Sequence, residues 1–141
     1  MLSESIKELK SRWLEQGIEF GPEIEPNEIV TLFANAEITV PSEAAELFAL
    51  VNGFGDDNID NRGFSFWSAD KILKENLKAT RLVCFADFLI MSHTYAFDST
   101  QRDATNVYVC WSEADRELVA SSLDDFFHKY IVNSKEIYIP F

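Results

Sequence analysis

A chain of 141 residues that is 47% hydrophobic is long enough for one domain with a sizeable core and too apolar for disorder. Its formal net charge of -12 opposes binding to nucleic acid or anionic membrane, and no apolar run approaches the ~18 residues that cross a bilayer. The start, Met1-Leu2-Ser3-Glu4-Ser5-Ile6-Lys7-Glu8, lacks the basic region and hydrophobic core of a secretory signal, so the chain reads as cytoplasmic.

In chain order, residues 3 to 16 form an amphipathic helix through Ile6, Leu9 and Trp13, with Ser5 and Glu8 spaced as a capping box. Gly17 and Gly21-Pro22 break it. A second helix over about 26 to 36 is expected to bury Ile29, Leu32, Phe33 and Ala36. Pro41 holds Val40 extended, and Ser42 is placed to cap a third helix over 42 to 52. Ala44, Leu47, Phe48 and Val51 make its apolar stripe, Glu43 and Glu46 suit its positive end, and Asn52-Gly53 suits a left-handed stop. Asp56 to Gly63 is a turn-rich loop.

Phe64 to Trp67 reads as a short strand, and Ser68 caps a short helix through Ile72 and Leu73. Leu82 to Met91 reads as one long strand buried on both faces, interrupted by a single acid, Asp87. Burying that carboxylate demands a partner, for which a loop amide, Arg81 or Arg102 is expected. Thr94 to Phe97 pairs with this strand through a turn near Ser92-His93. Val107 to Trp111 follows, turning at Ser112-Glu113-Ala114-Asp115 into a strand near Leu118 to Ala120. The last helix presents Leu123, Phe126, Phe127, Tyr130 and Ile131, and Ile137-Tyr138-Ile139 is a final strand or docking tail. Helices first, a strand meander, then a closing helix define an α+β fold.

Charge is unevenly placed. Between Arg12 and Arg62 there is no lysine or arginine but eleven carboxylates: Glu15, Glu19, Glu23, Glu25, Glu28, Glu37, Glu43, Glu46, Asp56, Asp57 and Asp60. Such a field speeds encounter with a basic partner, although it also serves solubility. Glu43, Glu46, Asp56, Asp57 and Asp60 are expected on one exposed face. Phe54, between two glycines, and Trp67, opposite Phe64 and Phe66 in an alternating strand, are the neighbouring rings. One of them is expected beside the acids as a binding hot spot, unless Phe54 folds onto the helix stripe and Trp67 fills a core beneath the helices.

Catalytic motifs are missing from the sequence: there is no GxSxG elbow, P-loop, GxGxxG or HExxH. Gly53-Phe54-Gly55 is too short for a phosphate cradle. His128 is spaced for a surface pair with Asp124, and His93 for a hydrogen bond in a turn. Cys84 and Cys110 lie in apolar runs without metal or redox spacing and read as buried free thiols. No catalytic residue, metal or cofactor is assigned.

The order of the pieces resembles a family. The acidic helix from Glu25 to Ala36, then Pro41 entering a helix that closes at Asn52-Gly53, is similar to the SUKH superfamily of bacterial immunity proteins, whose namesakes include fungal cell-wall assembly regulators. Phe64-Ser65-Phe66-Trp67-Ser68 with Asp70-Lys71-Ile72 resembles its first strand and following helix, and Phe85-Ala86-Asp87-Phe88 with Tyr95-Ala96-Phe97-Asp98 resembles its central hairpin. Ser122 to Phe127 resembles its closing helix, so the likeness covers roughly residues 20 to 133. It implies a single domain over 1–141, with a central, mostly antiparallel sheet, helices packed around it, and residues 1–20 as an N-terminal helical extension. It also implies a non-enzymatic protein that binds a cognate toxin domain, a basic protein surface occluded by the acidic one. The alternative is a regulatory or scaffold module with an endogenous partner.

Overall fold

The computed structural model describes residues 2–76, 81–112 and 114–138. Helix α1 (Leu2–Glu15) buries Leu2, Ser5, Ile6, Leu9 and Trp13. It starts earlier than the capping pattern predicts, so Ser5 lies inside the helix and the Ser5/Glu8 box is not used. Glu8 instead accepts a hydrogen bond from Arg12 at 3.2 Å. The helix stops at Gly17, whose φ of +80° lets the Ile18 amide reach back to the Trp13 carbonyl at 3.0 Å.

Helix α2 (Pro26–Asn35) opens on a proline, whose missing N–H costs nothing at that position, and buries Ile29 and Phe33. Leu32 is only half-buried and Ala36 is exposed, contrary to the predicted stripe. Helix α3 (Ser42–Leu50) buries Ala44, Ala45, Leu47 and Phe48, with Val51 just beyond. Its N-cap is Pro41, and the Ser42 hydroxyl does not cap. The Ser42 and Glu43 amides donate instead to the carbonyls of Arg102 (2.7 Å) and Asp103 (2.9 Å) on a distant loop.

Strands β1 (Phe64–Phe66), β2 (Leu82–Phe88), β3 (His93–Asp98), β4 (Val107–Cys110) and β5 (Arg116–Ala120) pair in sequence order, each antiparallel to the next. Helix α4 (Ala69–Glu75) joins β1 to β2 and is capped by Ser68, whose hydroxyl accepts from the Lys71 amide at 3.3 Å. Helix α5 (Leu123–Ile131) follows β5, and a 3₁₀ turn, Lys135–Ile137, closes the described chain. The fold is α+β.

Register decides which side chains meet. Cys84 pairs with Ala96, but Ala86 pairs with Tyr95, so Phe85 is a bulge residue. Without it, alternation from Val83 and Phe85 would put Asp87 on the core face. The bulge shifts the phase, so Ala86 and Phe88 pair with Phe66 and Phe64, and Asp87 faces the other way beside Ser65. The predicted long strand to Met91 is corrected in the same region. β2 ends at Phe88, residues 89–92 are the turn, and β3 begins at His93.

One continuous core includes Trp13, Phe48, Phe54, Phe64, Phe66, Phe85, Tyr95, Phe97, Phe126, Phe127 and Tyr130. Helix α1, expected as an extension, is built into it through Ile6, Leu9 and Trp13. Phe126 packs on Phe66, Phe85 and Tyr95, with ring centroids 6.5, 6.0 and 5.4 Å apart. Cys84 and Cys110 are free thiols but half-buried, and burial raises both pKa values, Cys110 to about 11. The Tyr95 hydroxyl donates to the Ile137 carbonyl at 2.7 Å, docking the tail as a turn and not a strand. Ile139 and Glu113, parts of two predicted features, lie outside the described residues.

Candidate functional site

Two loops, 17–25 and 51–63, are fastened together. Phe20 and Phe54 form an antiparallel bridge, the Gly21 amide donates to the Gly53 carbonyl (3.1 Å), and the Gly55 amide to the Glu19 carbonyl (2.6 Å). The Asn58 side chain adds a bond from the Glu19 amide at 2.8 Å. Asn52, predicted as a left-handed helix stop, is instead a buried clamp. Its Nδ2 donates to the Pro22 carbonyl (2.8 Å), and its Oδ1 accepts from the Ala69 amide (2.8 Å). Gly53 alone is left-handed here, at φ +65°, and a Cβ on it would lie 2.2 Å from the Trp67 carbonyl carbon, so only glycine fits.

Of the two rings, one of them expected beside the acids, neither is at the surface. Phe54 is buried, edge-on to Trp13 at 5.0 Å and to Phe66 at 5.6 Å. Trp67 is also buried. It turns away from Phe64 and Phe66, as alternation requires, but its indole N–H donates to Asp87 Oδ2 at 2.6 Å. The other Asp87 oxygen accepts from the Met91 amide at 3.3 Å. A loop amide, one of the expected partners, therefore does hold Asp87, and a tryptophan joins it. Arg81 pairs with Asp98 instead, at 2.8 Å.

The five predicted acids divide into two sets, and the expectation of one exposed face is corrected for Glu43 and Asp60. Glu43 is half-buried and accepts from the amides of Thr105 (3.1 Å), Leu123 (2.7 Å) and Asp124 (3.0 Å). Asp60 is buried. Its Oδ1 accepts from the Arg62 and Phe64 amides at 2.9 and 3.0 Å, and its Oδ2 from the Tyr130 hydroxyl. Burial raises the Asp60 pKa against the opposing pull of those amides. Glu46, Asp56 and Asp57 are exposed, as are Glu15, Glu19, Glu23, Glu25, Glu28 and Glu37. None of these nine forms an ion pair among the described residues. The fastened loops put Glu19 beside Gly55, and so beside Asp56 and Asp57. Proximity of Glu19 to that loop depends on long-range pairing, and no local signal announces it.

A second surface feature escaped the sequence reading. In the β2–β3 turn Leu89, Ile90 and Met91 have φ of 50°, 52° and 67° and are 58%, 76% and 53% exposed. Three apolar residues without glycine, asparagine or proline read as strand, and only Asp87, as an unexplained acid, hinted otherwise. An open cleft of about 470 Å³ lies between the fastened loops and α4, and its lining includes Asp56, Asp70 and Glu75 together with Lys71 and Lys74.

The histidines sit as follows. His128 Nδ1 lies 3.4 Å from Asp124, the predicted surface pair. His93 is not in a turn. It is buried on β3, 3.4 Å from the Tyr95 hydroxyl, and burial lowers its pKa. Among the described residues no three His, Cys, Asp or Glu side chains gather as a metal ion requires, and no helix is long and apolar enough to cross a membrane. Compared with protein-family models, curated proteins and solved structures, the chain shows no significant match to any of them.

Proposed function

We propose that this chain is a non-enzymatic immunity protein of the SUKH kind, which binds a basic toxin domain and blocks it by occlusion. The single observation that supports this reading is the set of nine exposed, unpaired carboxylates between Glu15 and Asp57. Leaving so many like charges without counter-ions is a standing self-repulsion that a cationic partner relieves. The contact residues are then Glu46, Asp56 and Asp57 from the sequence reading, joined by Glu19. Glu43, Asp60, Phe54 and Trp67 support the surface from within.

Two measurements test the reading. The product of the gene immediately beside this one is expressed with and without this chain; rescue of growth is the expected result, and indifference sinks the toxin reading in favour of an endogenous partner. In the resulting complex, Asp56→Lys with Asp57→Lys is expected to slow association about tenfold or more at low salt and much less at high salt. A rate indifferent to both charge and salt would leave the acids as a solubility device.

A further inference from the structure

The β2–β3 turn is built at a conformational cost. Leu89, Ile90 and Met91 all occupy the left-handed region, where a side chain crowds its own backbone and a β-branched residue such as Ile90 is an outlier. Asparagine or glycine would sit there more comfortably, and a polar residue would suit the exposure better. Strain of this kind collects where a surface is shaped for use.

The turn is also held firmly. The Leu89 amide donates to the Gly63 carbonyl at 2.9 Å, the Ser92 amide to the Phe88 carbonyl at 3.0 Å, and the Met91 amide to the buried Asp87 carboxylate at 3.3 Å. Asp87 is fixed from the other side by Trp67. The chain thus uses a buried carboxylate and a buried indole to present three apolar side chains to solvent. A rigid presentation lowers the ordering cost of binding.

The bond to Gly63 ties the knob to the end of the 56–63 loop, which carries the exposed Asp56 and Asp57 and the 41% exposed Ile59. Arg62, the one cation in that loop, is turned inward, donating to the Tyr130 and Ile131 carbonyls at the end of α5. The knob therefore belongs to a chain of formal net charge -12, whose exposed acids in this loop are unpaired among the described residues. Net charge disfavours two occupants: a second copy would bring like charge together, and an anionic bilayer would repel it.

We infer that Leu89, Ile90 and Met91 form a preformed docking knob for a protein partner whose apolar pocket or helix face is bordered by lysine or arginine. This deepens the binding reading by naming the interface and the partner's chemistry, and its test uses no toxin, so the two can fail separately. The isotope-labelled protein is titrated with a 14-residue amphipathic peptide of leucine and lysine, with its leucine–glutamate counterpart, and with phosphatidylcholine–phosphatidylglycerol vesicles. The expected result is amide shift changes from the leucine–lysine peptide that centre on residues 56–63 and 88–92. Affinity should fall tenfold or more in Ile90→Asn with Met91→Asn, at a melting temperature equal to or above wild type. Asparagine tolerates the left-handed conformation, so the variant is built to fold, and the wild-type shift map stands without it. Shifts spread over the acids of α2 and unchanged by the variant would overturn the inference. So would equal binding of the glutamate peptide, preferential binding to vesicles, or self-association lost in the variant.

Discussion

Asp87 and Trp67 are one device, and neither is intelligible alone. The sequence marks Asp87 as an acid in an apolar strand and Trp67 as a ring that must point away from Phe64 and Phe66. The bulge at Phe85 brings them to the same side of the sheet, where the indole N–H and the Met91 amide share the carboxylate. Trp67→Phe keeps a large ring but leaves Asp87 Oδ2 without its donor. The expected loss is about 2–3 kcal/mol, read as a lowered urea midpoint. A loss within a few tenths of a kcal/mol would mean that water replaces the indole and the pairing is incidental.

At the scale of elements, the helices were legible and the turns between them were not. Stripes at a 3.6-residue period locate α1, α3 and α5 well because tertiary burial and local periodicity agree there. Caps fared unevenly for a physical reason. Ser68 caps as its position suggests, and Ser122, not singled out as a cap in the sequence, also caps, accepting from the Asp125 amide at 2.9 Å. Ser42 does not, because a remote loop already satisfies the α3 amides. Glu43, read as a dipole-suited surface acid, instead takes the first two α5 amides, Leu123 and Asp124, 80 and 81 residues away in sequence. Glu43→Ala should therefore cost about 2 kcal/mol, the upper end for losing a helix cap, while Glu46→Ala three residues on should cost almost nothing. Equal effects on the melting curve would show that the Glu43 clamp is not a stability determinant.

The whole molecule joins a packed aromatic interior to a surface of one dominant sign. Its pH response has opposing parts. The Asp60 pKa is raised above 3.8 by burial, so the folded state holds that proton more tightly. Its favourable contribution is complete below 3.8 and is lost as pH rises through the raised value. Asp98 is the opposite case: burial pushes it up, but the Thr100 hydroxyl and amide and the Arg81 guanidinium outweigh that and leave it below 3.8. Its contribution is present above 3.8 and is lost as pH falls through the lowered value. The stability of Asp60→Asn relative to wild type should therefore rise from pH 4 to pH 7 in urea titrations. A flat or falling difference would mean that the Tyr130 hydroxyl and the two amides stabilise ionised Asp60 after all.

What the sequence determined by itself was the α+β class, the buried stripes and the lopsided charge, all of which follow from composition and short-range periodicity. Tertiary structure decided which acids are ligands of the fold and which face solvent, because Glu43 and Asp60 are claimed by amides and a hydroxyl far along the chain. It also decided that Phe54 and Trp67 are interior, through the pairing of loops 17–25 and 51–63 and the bulge at Phe85. It placed three apolar residues at an exposed turn, where local propensity favours a strand. In each case a long-range hydrogen bond or a one-residue register shift overrode a local preference of comparable size, and such terms have no signature within a sequence window.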